Sequence, residues 1–127
     1  MVKFKLAFLA SAAAALLTVS AANAQNADAG KALFNSRTCV ACHTNTGTAN
    51  RVGPPLFGVM GRKAGTVATF NNYSDDLKKA GFEWTPEKLD AWLTDPKSVI
   101  PSTKMVFAGM KVESERKDLI EYLKTLK

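Results

Sequence analysis

At 127 residues the chain has room for one small domain, and 17 Lys and Arg against 11 Asp and Glu give it a formal charge of +6. The positive residues are scattered rather than run together, which describes a solvated surface with a mild basic bias and not a nucleic-acid-binding tract. Two cysteines and one histidine are too few donors for a four-ligand zinc site.

The first elements in chain order belong to targeting. Lys3 and Lys5 precede an apolar run from Leu6 to Val19, and small residues close on Ala22-Asn23-Ala24. This is the layout of a secretory signal peptide, so residues 1–24 are expected to be removed and 25–127 to form the domain in the periplasm. A retained membrane anchor is the competing reading, but the run falls short of the roughly 20 residues that cross a bilayer. Cleavage removes Lys3 and Lys5 and leaves +4. An exported chain rarely meets nucleic acid, and one this short commonly recruits a disulfide, a metal or a cofactor to supplement its limited core.

Asp28 is placed to cap a helix over "AGKALFNSRT", with Leu33 and Phe34 inward. Residues 44–69 are crowded with Gly, Pro, Thr and Asn and read as loop. "YSDDLKKAG" predicts a short helix capped by Ser74, acidic in its first turn and closed at Gly81. Thr85 as cap and Pro86 at the first helical position open another helix, with Leu89, Trp92 and Leu93 on one face and Pro96 as its stop. "SVIPSTKMVFAGM" reads as an ordered loop around Pro101, and a last helix spans about Ser114 to Leu126. The expected fold is all-α: about four short helices and long ordered loops in one domain.

Cys39, Cys42 and His43 stand at i, i+3 and i+4, so one helical turn would send all three side chains off the same side. A thioredoxin-like dithiol needs strands alternating with helices, and none is legible. A disulfide across so short a loop would be strained and would stabilise little. Covalent haem uses every part: the thiols add to two vinyl groups and the adjacent imidazole is positioned to bind iron. With a single His in the chain, the second axial ligand must be Met, Lys or nothing. Met60 follows His43 too closely in a Gly-rich turn, and Met110 runs into the last helix, where packing is its expected role. Met105 follows a stretch stiffened by Pro96 and Pro101, which reduces the entropy lost in presenting a sulfur, and is the chosen ligand.

"CVACHTNTG", "VGPPLFGVMGRKAG", "YSDDLKKAGFEW" and "DPKSVIPSTKMVFAGMKVESERKDLIEYLK" together resemble a class I c-type cytochrome, close to the mitochondrial and alphaproteobacterial cytochrome c group. The resemblance covers nearly all of residues 25–127. It implies one haem c held by thioether bonds at Cys39 and Cys42, His43 and Met105 as axial ligands, and Pro54 lending its carbonyl to the protonated ring nitrogen of His43. It further implies Arg62, Tyr73 and Trp84 around the propionates, Thr103 beside the axial sulfur, Phe107 at the ring edge, and Gly30 and Phe34 meeting Leu119 and Tyr122 where the first and last helices cross. Two positions depart from the pattern. Trp92 stands where many relatives have a Tyr that bonds the axial Met, and Leu77 stands where an Asn often holds buried water.

Two strong protein ligands leave no open iron position, so the expected function is one-electron exchange and not enzymatic turnover. A soft thioether and a dry pocket both raise the potential. Arg51, Lys97, Lys104 and Lys111, with Lys31 at the margin, are expected to ring the haem edge. The family implies acidic docking faces on a quinol-oxidising complex and a terminal oxidase as partners, met by a monomer with no stable membrane insertion once the signal is gone. An open-site peroxidase or gas sensor, and an electron-transfer subunit anchored to or dedicated to one oxidoreductase, are the alternatives.

Overall fold

The computed structural model describes residues 26–127, so the cleavage expected after Ala24 lies outside the described residues. Helix α1 spans Ala27–Ser36 and its cap is Asn26, not Asp28. The Asn26 side chain accepts from the backbone N–H groups of Asp28 (2.9 Å) and Ala29 (3.2 Å). Its own N–H donates to the Asp118 carboxylate at 2.8 Å, a tertiary tie that fixes where the helix starts. Asp28 sits instead in the first turn, where its charge complements the helix dipole.

Helix α2, Cys39–Cys42, is a single turn. Thr38 before it has φ +66°, a left-handed conformation that a β-branched residue adopts only under strain. Helix α3 covers Asp75–Lys79; Ser74 Oγ accepts from the Leu77 N–H, and Gly81 follows the end with φ +74°. Helix α4, Pro86–Thr94, is opened by Thr85 Oγ1 accepting from the Lys88 N–H and by Pro86 in its first turn.

Pro96 does more than stop α4. Asp95 ends that helix and caps α5, Pro96–Val99, with its side chain on the Lys97 N–H at 3.1 Å. Proline suits the first turn of a new helix because its missing N–H is needed by nothing there. The start of the stretch read as loop is therefore helical, and the loop proper follows it. Helix α6 spans Glu113–Lys124, and Leu126 lies beyond it, buried, its carbonyl accepting from the Gly58 N–H at 2.6 Å.

Helices α1 and α6 cross at Gly30, where a Cβ would stand 2.0 Å from the Asp118 carbonyl oxygen and 2.8 Å from Tyr122 Cβ. No side chain fits there, and Phe34 one turn on is wholly buried with its ring 5.7 Å from that of Tyr122. Helix α4 packs against α5 and α6. The buried Arg116 of α6 holds this corner, donating to the Asp90 carboxylate (2.7 Å) and to the carbonyls of Met110 (3.0 Å) and Lys111 (3.1 Å). Among the described residues the only β-pairing is an isolated antiparallel bridge between Lys63 and Glu83, so the fold is all-α.

Candidate functional site

The core does not close on itself. A cavity of about 230 Å³ remains, many times the roughly 30 Å³ share of one water and far beyond the voids of close-packed interiors. It is lined by Leu56, Val59, Leu77, Leu89, Leu93, Leu119 and Leu123 from the loops, α3, α4 and α6, and by Cys39, Cys42, His43, Pro54, Arg62, Tyr73, Trp84, Trp92, Thr103, Met105 and Phe107. A predominantly apolar cavity of this size fits a large planar hydrophobic group and not a solvent channel.

Both thiols are free and half-buried, so no disulfide joins Cys39 to Cys42. Burial pushes the Cys39 thiol above its ordinary range and keeps it protonated. His43 is not on the helical turn: it follows α2 in an extended conformation, with its backbone N–H on the Cys39 carbonyl at 2.8 Å. Its ring nevertheless reaches the same cavity. Nδ1 lies 2.7 Å from the Pro54 carbonyl oxygen. A carbonyl can only accept, so Nδ1 carries the proton and Nε2 keeps a free lone pair. Burial first, and then the nearby Arg62 charge, hold the imidazole pKa below its ordinary value against the opposing Pro54 bond, which favours the neutral form a metal requires. Gly53 makes room for this arrangement, since a Cβ there would stand 2.5 Å from His43 Cε1.

Met105 lines the cavity, whereas Met60 and Met110 do not. Met110 is packed away at 3% exposure, its N–H on the Leu93 carbonyl at 2.7 Å. The Met105 N–H donates to Thr103 Oγ1 at 3.2 Å, so Thr103 shapes the turn that carries the sulfur. Trp84 and Trp92 are buried edge-to-face with centroids 5.3 Å apart. Burial lowers the pKa of Arg62, whose Nη1 donates to the Pro55 carbonyl at 2.9 Å. The Tyr73 hydroxyl accepts from the Val67 N–H at 3.3 Å, and burial raises its pKa.

The sequence reading missed Gly53, whose only signal was its place in "VGPP", and did not connect the apolar stripe of α6 with the cavity wall. Of the expected basic ring, Lys104 lines the cavity itself; Arg51, Lys97, Lys111 and Lys31 are exposed but outside its lining. Arg51 is folded onto the Val40 carbonyl (2.7 Å) and Lys111 onto that of Thr94 (2.8 Å). Among the described residues no three His, Cys, Asp or Glu side chains come together as a metal cluster. The donor set that does line the cavity is two thiols, an imidazole and a thioether.

A sequence model of the family described as cytochrome c matches residues 27–127. The chain belongs to the cytochrome c family. It is 53% identical over 89 residues to cytochrome c2 iso-2 of Magnetospirillum molischianum, covering 70% of this chain and 91% of that protein. It is 50% identical over 94 residues to cytochrome c 2.1 of Caenorhabditis briggsae, covering 74% and 82%. Among solved structures, cytochrome cH from Methylobacterium extorquens superposes with a TM-score of 0.72 at 46% identity, over 79% of this chain and 98% of that one. Membership brings one covalently attached haem c with its iron. Cys39 and Cys42, the only cysteines in the chain, supply its CxxCH motif. The coarse function of the family follows: a monohaem electron carrier that exchanges electrons with redox complexes.

Proposed function

We propose that this chain is an exported, periplasmic one-electron carrier and not an enzyme, in which His43 Nε2 and Met105 Sδ would hold the haem iron and Cys39 and Cys42 would anchor the haem covalently. The observation that carries the reading is the 2.7 Å contact between His43 Nδ1 and the Pro54 carbonyl oxygen. A carbonyl only accepts, so the contact puts the proton on Nδ1, holds the ring in place and increases the basicity of Nε2. That Met105 is the one methionine of the three described to line the same cavity supports the second ligand.

When bound, the haem supplies a reversible one-electron couple at iron. The residues of the chain do the rest. Two protein ligands exclude outside molecules from the metal, which disfavours peroxidase or gas-sensing chemistry. The apolar walls from α4 and α6 exclude water and so disfavour the more charged ferric state, raising the potential together with the soft sulfur. Arg62, Tyr73 and Trp84 all line the cavity, with the Trp84 backbone N–H on the Arg62 carbonyl at 2.9 Å, and are the donors available to buried propionates. Lys104 at the cavity and the exposed Arg51, Lys97, Lys111 and Lys31 add to a basic surface suited to acidic faces on a quinol-oxidising complex or a terminal oxidase. Among the described residues no helix is long and apolar enough to cross a membrane.

The deciding measurement is the optical spectrum of the oxidised holoprotein. A low-spin spectrum with a sulfur-to-iron charge-transfer band is expected, and a high-spin spectrum would overturn the carrier assignment in favour of an open site. N-terminal sequencing of exported protein should begin at Gln25. Electron transfer to the partner should slow steeply with salt, and salt-insensitive transfer would refute the docking part.

A further inference from the structure

Met105 and Phe107 pack against the core, but few hydrogen bonds hold the segment that carries them. From Pro101 to Gly109 there is no helix, and the bonds within it are local: Thr103 N–H to the Ile100 carbonyl (3.0 Å) and Met105 N–H to Thr103 Oγ1 (3.2 Å). Among the described residues, only two hydrogen bonds tie these nine positions to a distant part of the chain. Ser102 Oγ donates to the Asp76 carboxylate, and Lys104 Nζ donates to Asn72 Oδ1 at 3.1 Å. The donors stand three residues before and one residue before Met105, and both acceptors lie in the stretch that leads into and begins α3. The next tie, Met110 N–H to the Leu93 carbonyl, comes five residues after Met105.

We infer that Ser102 and Asp76, with the Lys104–Asn72 pair beside them, form a latch that positions the Met105 sulfur and sets how often it leaves the iron; this rests on Met105 being the sixth ligand. All four side chains are exposed, so the bonds compete with water and each contributes little. A contact of that strength is broken often enough to matter for a local motion, yet too weak to govern global unfolding. Asp76 and Ser102 line neither the cavity nor the core, so they act on the iron only through the path of the backbone. They are positioning residues.

An outside ligand binds the iron only when the sulfur is off, so its apparent affinity scales with the fraction of time the latch is open. The experiment titrates imidazole into the ferric holoprotein and reads loss of the sulfur-to-iron band, for wild type, Ser102→Ala, Asp76→Ala, the double variant and Ser102→Thr. Losing one net hydrogen bond should tighten imidazole binding about fivefold in each single Ala variant. The double variant should match either single one, and Ser102→Thr, which keeps the hydroxyl, should behave as wild type. The denaturant midpoint should fall only by the equivalent of the same fivefold factor, because the bond is missing from the unfolded chain as it is from the open state, whereas a merely structural role would shift the midpoint and leave the imidazole affinity alone. Wild-type affinity in both single variants, or a double variant whose effect is the product of the two, overturns the latch while leaving the ligand assignment standing. Absence of the sulfur band from the wild-type protein overturns both.

Discussion

Replacing Gly53 with Ala tests the hinge of the site, because it leaves every proposed ligand in the sequence and disturbs only the space behind one. The new Cβ would stand 2.5 Å from His43 Cε1, 2.8 Å from Nδ1 and 3.0 Å from Nε2, where ordinary contacts lie at 3.4–4 Å. Gly53 is not among the positive-φ glycines, so the cost is one of space and not of backbone conformation. Relief requires a shift of roughly 1 Å, enough to draw Nδ1 from 2.7 Å to the limit of a hydrogen bond with Pro54. Overpacking of this kind costs about 1–3 kcal/mol and the lost bond about 0.5–1.5 kcal/mol, so the holoprotein should lose about 1.5–4.5 kcal/mol. The potential should rise as well, since a less basic imidazole stabilises ferric iron less. One net hydrogen bond of about 1 kcal/mol corresponds to an upper bound on the order of 40 mV for a one-electron couple. Denaturant unfolding followed by haem absorbance and a potentiometric titration measure both. Wild-type stability together with an unchanged potential would refute the argument that Gly53 exists to seat His43.

Met105→Ala should abolish the sulfur-to-iron band, lower the potential and increase peroxidase activity, while Met110→Ala should keep the band and lose about 2–5 kcal/mol, the range for truncating a packed methionine; the two spectra and two melts decide between them. Gly30→Ala should destabilise by about 1–3 kcal/mol in denaturant melts despite the better helix propensity of Ala, because the methyl meets the Asp118 backbone at 2.0 Å and α1 must back away from α6. Tyr73, whose pKa burial raises, should titrate above the ordinary value of about 10 when phenolate absorbance is compared with that of Tyr73→Phe. Its folded-state pKa exceeds its unfolded one, so its contribution to stability is complete below about pH 10 and is lost as pH rises through the folded value.

The elements legible in the sequence were those whose signals are local. Ser74 and Thr85 cap their helices because a short hydroxyl side chain reaches the N–H three residues on, whatever surrounds it. The α1 cap was misread because Asn26 and Asp28 are both good caps, and a bond from Asn26 to Asp118, 92 residues away, chose between them. Pro96 was read only as a stop because the opening of α5 depends on Asp95 serving two helices at once. His43 was expected on the turn of Cys39 and Cys42 and instead leaves it, since the Pro54 carbonyl and the space at Gly53 fix the ring from a different stretch of loop.

By itself the amino-acid order determined that this is a small all-α chain, that a CxxCH motif carries both its thiols and its one imidazole, and that a Met follows a proline-stiffened loop. These are matters of spacing and residue chemistry, which need no distant partner. Tertiary structure alone decided that Asn26 and not Asp28 caps α1, that Asp95 closes one helix and opens the next, and that Gly53 stands where no side chain fits. Those outcomes depend on atoms brought together from far along the chain, and no local pattern encodes a distance.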